Sequence, residues 1–265
     1  MLSKKRVDLH NHTVLCNHAT GTTEEYIKKA IELKIDVFGF SEHAPMNFDE
    51  KYRLKLEDKD LYENDVLSLK EKYKNEIEIL LGYEVDYLKG NYILPEIINS
   101  KVDYLIGSVH FINDGWGFDN PEFIGQYKNK NIDIIWEDYF EAITNMVKSN
   151  KFDIVGHLDL IKVFKFLPKK DIKTIAKEAL TNIKKSDMVV EINSAGYRKP
   201  IEEQYPSKQI LELCYELNIP ITFSSDAHSV DQVGLNYERA TSLAKEVGYK
   251  KCTYFHNREK IESLF

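Results

Sequence analysis

The stretch Arg6-Val7-Asp8-Leu9-His10-Asn11-His12 predicts a short β-strand that ends in two histidines. Side chains two residues apart on a strand point to the same face, so His10 and His12 can present two imidazoles to one metal ion. Asp8 lies on that face as well, and we expect it to orient an imidazole from behind, as metal-bound histidines usually require. A lone His-x-His pair is a weak signal, and the rest of the chain decides its meaning.

Six further apolar segments are predicted strands, and each is also followed by polar residues that can bind a ligand. Helices with one apolar face separate these strands, and such a regular alternation predicts a parallel sheet. An open, doubly wound sheet gathers ligands only at its switch point, whereas a closed barrel brings all the strand ends together. We therefore expect an α/β barrel of seven parallel strands with its site at the C-terminal mouth. The later strands end at His43, Glu84, His110, His157, Asn193 and Asp226.

The composition indicates a soluble globular protein. The 265 residues are 43% hydrophobic and 30% charged, and the net charge of −7 is spread along the chain, which disfavours nucleic-acid partners. Cys16, Cys214 and Cys252 are odd in number and far apart, which indicates reduced thiols. With no visible signal peptide and no membrane-spanning run, we expect one cytoplasmic domain over residues 1–265 and no membrane partner. The oligomeric state stays open.

Seven of the eight histidines, together with two carboxylates, form a candidate metal constellation. Any one of these histidines could be held by loop carbonyls, but burying all of them in one mouth is costly without a cation. The nitrogen-rich set suits Zn, Mn or Fe better than Ca or Mg, and nine ligands imply two or three ions. His256 is left out as structural. The candidate ligands are His10, His12, His18, His43, Glu84, His110, His157, Asp226 and His228.

Six motifs occur in order along nearly the whole chain. They are Asp8-Leu9-His10-Asn11-His12, Ser41-Glu42-His43-Ala44-Pro45, Gly82-Tyr83-Glu84-Val85-Asp86-Tyr87, Gly107-Ser108-Val109-His110-Phe111, Gly156-His157-Leu158-Asp159-Leu160 and Ser225-Asp226-Ala227-His228. Together they resemble the polymerase-and-histidinol-phosphatase (PHP) family, and within it the histidinol-phosphatases of histidine biosynthesis. The resemblance implies a distorted (β/α)7 TIM-like barrel with three divalent metal ions and L-histidinol phosphate as substrate.

The resemblance also implies how the ligands are shared among the ions. Glu84 would bridge the first two ions, and the catalytic residues would be Glu84, Asp226, His228 and Arg198. A bridged metal pair lowers the pKa of a shared water toward about 7, so that hydroxide can attack phosphorus. The first ion would be held by His10, His12, Glu84 and Asp226, the second by Glu84, His110 and His157, and the third by His18, His43 and His228.

Two cationic residues are candidates for the phosphate contact. Arg198 ends the small-residue turn that follows the sixth strand, and its guanidinium can grip phosphate in a bidentate way. The resemblance points to Arg198 as well. Lys162 stands where the family pattern often has a second arginine, and a lysine can supply the charge but not the fork.

An aromatic insertion at about residues 111–131 is the predicted source of substrate choice. We expect Trp116, Asp119 and Glu122 to recognise the imidazole and ammonium groups of histidinol phosphate. An insertion that only packs its rings on the barrel rim is the alternative.

Other functions also fit parts of the sequence. The main alternative is a PHP phosphoesterase that acts on other small monoesters, such as nucleotides or phosphopeptides. An amidohydrolase or deaminase would usually bridge its metals with a modified lysine or use a single ion. A non-catalytic metal-binding protein would not need Arg198.

Overall fold

A ring of parallel strands forms the centre of the molecule in the computed structural model, which describes residues 2–90 and 92–265. The strands in chain order are β1 (Val7–Asp8), β2 (Val37–His43), β3 (Glu78–Asp86), β4 (Tyr104–Ser108), β5 (Phe111–Ile112), β6 (Trp116–Gly117), β7 (Ile154–Val155), β8 (Val189–Asn193), β9 (Ile221–Ser224), β10 (Lys251–His256) and β11 (Glu259–Leu264). Seven of them pair in the order β1-β2-β3-β4-β7-β8-β9, and all these pairs are parallel. The amide of Leu9 donates to the carbonyl of Phe223 at 3.0 Å, so the ring closes between β1 and β9. The predicted barrel is confirmed.

Helices follow the barrel strands and cover the outside of the ring. The first begins as its sequence predicts, with a capping box in which Thr22 and Glu25 each accept a hydrogen bond from the other's backbone amide. Within the described residues, no helix combines the length and apolar character needed to cross a membrane. The helices are α1 (Thr23–Glu32), α2 (Lys59–Lys72), α3 (Pro95–Ile98), α4 (Ile132–Lys148), α5 (Ile172–Lys185), α6 (Lys208–Glu216) and α7 (Tyr237–Val247).

The side chain of Tyr104 fills part of the barrel interior. Its hydroxyl donates to the carbonyl of Leu9 at 2.6 Å, so the ring crosses the space between strands. A Cβ at Gly39 would lie 2.0 Å from that hydroxyl, and one at Gly82 would lie 2.7 Å from the ring. Glycine is therefore required at both positions, because any larger side chain would displace the tyrosine.

A C-terminal hairpin closes the opposite end of the barrel from the ligands. Strands β10 and β11 pair antiparallel, and Phe255 joins the apolar cluster inside the ring. The amide of Lys5 donates to Leu264 at 2.9 Å, and that of Arg258 donates to Asp103 at 2.8 Å. The hairpin was not among the elements predicted from the sequence. The hairpin therefore closes this end of the barrel, and the candidate site lies at the other end.

Candidate metal centre

The nine predicted ligands converge at the C-terminal ends of the barrel strands. They surround one end of a cavity of about 650 Å³ that opens at the mouth. Seven of them contribute to its lining, while His10 and His12 lie fully buried beneath it. The seven are His18, His43, Glu84, His110, His157, Asp226 and His228.

Glu84 lies at the centre of this cluster and is 1% exposed. Its carboxylate is 2.9 Å from Nδ1 of His43 and 2.9 Å from Nε2 of His157. Nε2 of His10 is 3.3 Å away, and those of His110 and His12 follow at 3.6 and 3.7 Å. One carboxylate in reach of five imidazoles from different parts of the chain is suited to bridging metal ions.

The deepest group of donors contains atoms that have no hydrogen-bond partner. Candidate ligand atoms of His10, His12 and Asp226 lie within 4.8 Å of one another, beside Glu84. Nε2 of His10, Nε2 of His12 and Oε2 of Glu84 are buried and make no well-aligned hydrogen bond among the described residues, although imidazole and carboxylate atoms approach them within 4 Å. Buried polar atoms without partners are costly, and a cation among them would satisfy all three at once. The donor set therefore fits a divalent metal.

Two further groups lie beside the first. Glu84, His110 and His157 bring their candidate ligand atoms within 4.8 Å of one another, as the family pattern implies. The ring of His18 lies 5.2 Å from that of His43 and 4.7 Å from that of His228, but the ligand atoms that lie within 4.8 Å of one another group His43 and His228 with His12, and His18 and His228 with Cys16. The three groups share residues, since His43 also contacts Glu84 and its ring stacks on His12 at 4.2 Å.

Three buried carboxylates hold the ligand imidazoles from behind. Oε1 of Glu191 is 2.6 Å from Nδ1 of His10, and Glu191 also accepts from the amide of His157 at 2.6 Å. The same task is performed for His12 by Glu42 at 3.3 Å and for His110 by Asp86 at 2.5 Å. Such contacts fix the tautomer and orientation of a metal-binding histidine.

The assignment of this task to Asp8 was wrong. The carboxylate of Asp8 accepts from the amide and the hydroxyl of Ser225, at 2.9 and 2.6 Å, and from the side chain of Asn11 at 3.2 Å. It thereby joins the end of β1 to the end of β9 below the mouth. Glu191 could have been found from the Glu191–Asn193 pair, because both side chains point inward from one apolar strand.

The electrostatics of the cluster favour cations. Burial alone would lower the pKa of His110, but Asp86 and Glu84 outweigh it and raise that pKa to about 10. Burial likewise opposes protonation of His12, yet nearby carboxylates raise its pKa to about 9. Burial and the charge of His12 lower the pKa of His43 to about 4. The carboxylates thus stabilise positive charge in the mouth, including on the imidazoles of His12 and His110.

Arg198 borders the cluster and presents an unpaired donor. Its Nη2 donates to the carbonyls of Ser225 and Asp226 at 2.9 and 3.1 Å and to Gln232 Oε1 at 3.3 Å. Its Nη1 is buried and has no partner among the described residues. The side chain lines the cavity, so an anion there can take the free donor.

Lys162 lies outside the cavity, which corrects the expectation of a direct substrate contact. It is 2% exposed, and its ammonium donates to Glu203 at 2.8 Å and to the carbonyl of Gln204 at 2.7 Å. Asp159 Oδ2 lies 3.1 Å away. Because the Lys162 ammonium already donates to these partners, its N–H groups are not available to a phosphate.

The insertion divides between packing and the cavity. Trp116 does not contribute to the lining; it packs edge-on against Tyr127 at 4.7 Å, as a rim-packing insertion would. This corrects its predicted substrate contact. Asp119 and Glu122 do line the cavity. Asp49, from the segment after β2, joins them and was not singled out in the sequence.

A parallel barrel with such a donor set at its mouth defines a class of metal-dependent barrel proteins. Residues 8–195 match the family described as the PHP domain, and the chain belongs to that family. A relative from Deinococcus radiodurans, named "Probable histidinol-phosphatase", is 33% identical over 255 residues, which cover 95% of this chain and 97% of the relative. The histidinol-phosphatase of Bacillus subtilis is 26% identical, covering 87% of this chain and 96% of its own.

Solved structures agree with this fold. A candidate histidinol phosphatase from Listeria monocytogenes has a TM-score of 0.80 and 27% identity, covering 88% of this chain and 99% of its own. The histidinol phosphate phosphatase of Lactococcus lactis, solved with zinc, L-histidinol and phosphate, has a TM-score of 0.76 and 22% identity. That alignment covers 98% of this chain and 100% of the other, and it supports the fold alone.

Replacing Glu191 by glutamine should weaken metal binding by about 10- to 100-fold, as is typical when a carboxylate behind a ligand is lost. Glutamine keeps the shape but removes the charge that holds His10. Competition with a chelator, followed by elemental analysis, measures the change. Glu78→Gln is the matched control, because Glu78 contacts Lys5 and His256 at the closed end of the barrel. Unchanged metal affinity in a folded Glu191→Gln protein would contradict the role.

Proposed function

We propose that the chain is a metal-dependent phosphomonoesterase that hydrolyses L-histidinol phosphate to L-histidinol and phosphate, a step of histidine biosynthesis. The observation that carries the proposal is the convergence of the nine ligand side chains beside the free donor of Arg198. The names of the Deinococcus radiodurans and Bacillus subtilis relatives support the substrate. Their alignments cover nearly the whole chain, so the similarity extends over the entire barrel.

We infer that the cofactor is a set of three divalent transition-metal ions, of Zn, Mn or Fe. The first ion would be held by His10, His12, Glu84 and Asp226, the second by Glu84, His110 and His157, and the third by His18, His43 and His228. When bound, such ions supply an activated water and neutralise phosphate charge. The unpaired atoms of His10, His12 and Glu84 support this cofactor independently of the relatives.

The chain's own residues would position the substrate and stabilise charge. The surrounding imidazoles outweigh the effect of burial and hold the pKa of the Glu84 and Asp226 carboxyl groups well below the ordinary value. Both groups are therefore charged at neutral pH. Arg198 would donate its free Nη1 to a phosphate oxygen and stabilise the charge that develops during attack. His228 lies beside Asp226, with Nδ1 3.5 Å from its carboxylate, and completes the proposed catalytic set.

The cavity lining carries side chains of both charges, which suits the two ends of histidinol phosphate. Arg198 and Lys199 are among the lining residues, and Arg198 also donates to the backbone carbonyl of the proposed ligand Asp226. Asp49, Asp119 and Glu122 line the cavity as well. A phosphate dianion would therefore lie toward Arg198, while the substrate's ammonium would lie toward the carboxylates. We propose Asp119 and Glu122 as the residues that read the amine.

A second candidate is a phosphatase of other small monoesters, such as nucleotides or phosphopeptides. A relative from Clostridium acetobutylicum named "Probable phosphatase CA_C0509" is 25% identical and covers 97% of this chain. A phosphate-release screen over small monoesters separates the two proposals. The first requires a marked preference for histidinol phosphate, and the second requires comparable rates on several esters.

We also propose that residues 1–265 act as one barrel domain in the cytoplasm, with the insertion at about 111–131 as part of the substrate site. The cysteines at positions 16, 214 and 252 are all unpaired and buried, which is consistent with a reducing compartment.

The isolated protein should contain more than one transition-metal ion per chain and should release phosphate from L-histidinol phosphate. The reason is that nine donors exceed the four to six that one ion takes. Elemental analysis of protein never exposed to chelator gives the stoichiometry, and a phosphate-release assay gives the turnover. One ion or fewer would exclude the three-ion proposal, and an active multi-metal protein that ignores histidinol phosphate would exclude the substrate.

A further inference from the structure

Tyr205 is a buried tyrosine in the cavity wall, and its hydroxyl has no hydrogen-bond partner in the part of the chain that the structure describes. The residue is 1% exposed, yet it lines the cavity together with Arg198, Asp226 and His157. Its ring meets that of His157 edge-on, with centroids 6.5 Å apart. Its hydroxyl makes no hydrogen bond within the described residues. A buried unpaired hydroxyl is a cost to the folded protein, and such exceptions call for a specific reason.

The backbone holds Tyr205 firmly against the strand that carries Glu191. The amide of Asn193 donates to the carbonyl of Tyr205 at 2.7 Å, and the amide of Tyr205 donates back to Asn193 at 3.0 Å. A Cβ at Gly196 would lie 2.0 Å from the carbonyl of Glu203 and 3.0 Å from the Tyr205 ring. The turn that ends in Arg198 therefore needs glycine at this position to pack against the segment of Tyr205.

Lys162 supports this segment from the side. Its ammonium donates to Glu203 and to the carbonyl of Gln204, the two residues that precede Tyr205. It also lies 5.3 Å from the centre of the Tyr205 ring. Asp159 contacts Lys162 and accepts from the amide of Ser207 at 2.8 Å, so both sides of Tyr205 are anchored. The buried lysine thus contacts the residues that precede Tyr205 and does not line the cavity.

We propose that the Tyr205 hydroxyl is a further substrate contact, a donor to a phosphoryl oxygen beside Arg198, and that Lys162 is the positioning residue that holds it in place. The inference rests on the proposed phosphomonoesterase function. Burial raises the pKa of Tyr205 well above the ordinary value, so the hydroxyl keeps its proton and can donate at neutral pH. A neutral donor adds specificity for the tetrahedral group without adding charge to the mouth.

Tyr205→Phe removes only the hydroxyl and should raise the dissociation constant for inorganic phosphate about 10- to 100-fold, as expected for a hydrogen bond to a charged group. Calorimetric titration of the holoenzyme with phosphate measures the binding. The melting temperature should stay the same or rise, because the lost hydroxyl was unpaired. Metal content should not change. Unaltered phosphate affinity would overturn the proposal.

Tyr249→Phe is the matched control with the opposite expected pattern. The Tyr249 hydroxyl donates to the carbonyl of Ile219 at 3.0 Å, outside the cavity. Its removal should lower the melting temperature and leave phosphate affinity unchanged. A Tyr205→Phe protein that behaved like this control would show that Tyr205 serves packing alone.

The role of Lys162 is tested by a double-mutant cycle read as kcat/KM on an aryl phosphate. Lys162→Met should lower kcat/KM in the wild-type background but much less in the Tyr205→Phe background. Lys162→Arg keeps the charge and should recover part of the loss. Equal losses in both backgrounds would overturn the positioning role.

The phosphate titration also separates this inference from the proposed substrate. A wild-type holoenzyme that binds phosphate but does not hydrolyse histidinol phosphate would contradict the substrate, and the Tyr205→Phe titration would still decide the contact. A wild-type holoenzyme that fails to bind phosphate would overturn both.

Discussion

Replacing Glu84 by glutamine should reduce turnover by about 10³-fold or more, beyond the loss typical of one charge-stabilising donor. Among the described residues, Glu84 alone has a carboxylate that contacts imidazoles of all three proposed metal groups, and it is almost fully buried. Glutamine preserves the volume but removes the charge that would bridge two ions. Metal content should therefore fall together with turnover. Elemental analysis and phosphate release on the same preparation measure both effects, and circular dichroism confirms folding.

His18→Ala is the variant with which the loss of turnover in Glu84→Gln should be compared. His18 is exposed at the edge of the mouth and belongs to the third group alone, so its loss should remove one ion and leave a bridged pair. His43→Ala should fall between the two variants, since Nδ1 of His43 also contacts Glu84. Near-native turnover of Glu84→Gln beside an inactive His43→Ala would show that the bridge has been assigned to the wrong residue.

The barrel and its ligands could be predicted because they follow from local patterns. Most of the predicted ligands lie at or shortly after the end of an apolar strand, Glu84 lies two residues before the end of β3, and His18 lies in the loop that follows β1. Parallel strands in a closed ring bring such ends together without further information. The orienting carboxylates could not be assigned to particular histidines in this way, even where the strand pattern marks the side chain as pointing inward. Glu191 contacts His10 across 181 positions of sequence, and no periodicity specifies which inward-pointing residue of one strand meets a residue of another.

The incorrect assignments of Lys162 and Trp116 share a cause, which is that charge and aromatic character do not reveal the orientation of a side chain. Lys162 was expected to face the substrate because of its position after a ligand motif, but it turns to Glu203 and is neutralised there. Trp116 contributes to packing against Tyr127 instead of the cavity. The C-terminal hairpin was missed because Glu259–Leu264 carries charged residues in place of a clear apolar alternation.

Arg198→Ala should lower kcat/KM by about 10²- to 10³-fold for histidinol phosphate and for a generic aryl phosphate alike. Both esters carry the phosphoryl group that the free Nη1 would contact, so the loss should not depend on the leaving group. Arg198→Lys keeps the charge without the fork and should fall between wild type and alanine. Nη2 also holds the carbonyls of Ser225 and Asp226, so metal content is measured in each variant to detect disturbance of that loop.

The decisive quantity is the ratio of kcat/KM for histidinol phosphate to that for the aryl phosphate. Arg198→Ala should leave this ratio unchanged, whereas Asp119→Asn and Glu122→Gln should lower it, because only histidinol phosphate presents an ammonium to those carboxylates. If the ratio is unchanged in the insertion variants, specificity lies elsewhere in the cavity. Asp49, in the segment after β2, would then be the residue to replace. A wild-type ratio near one would instead identify a general phosphatase.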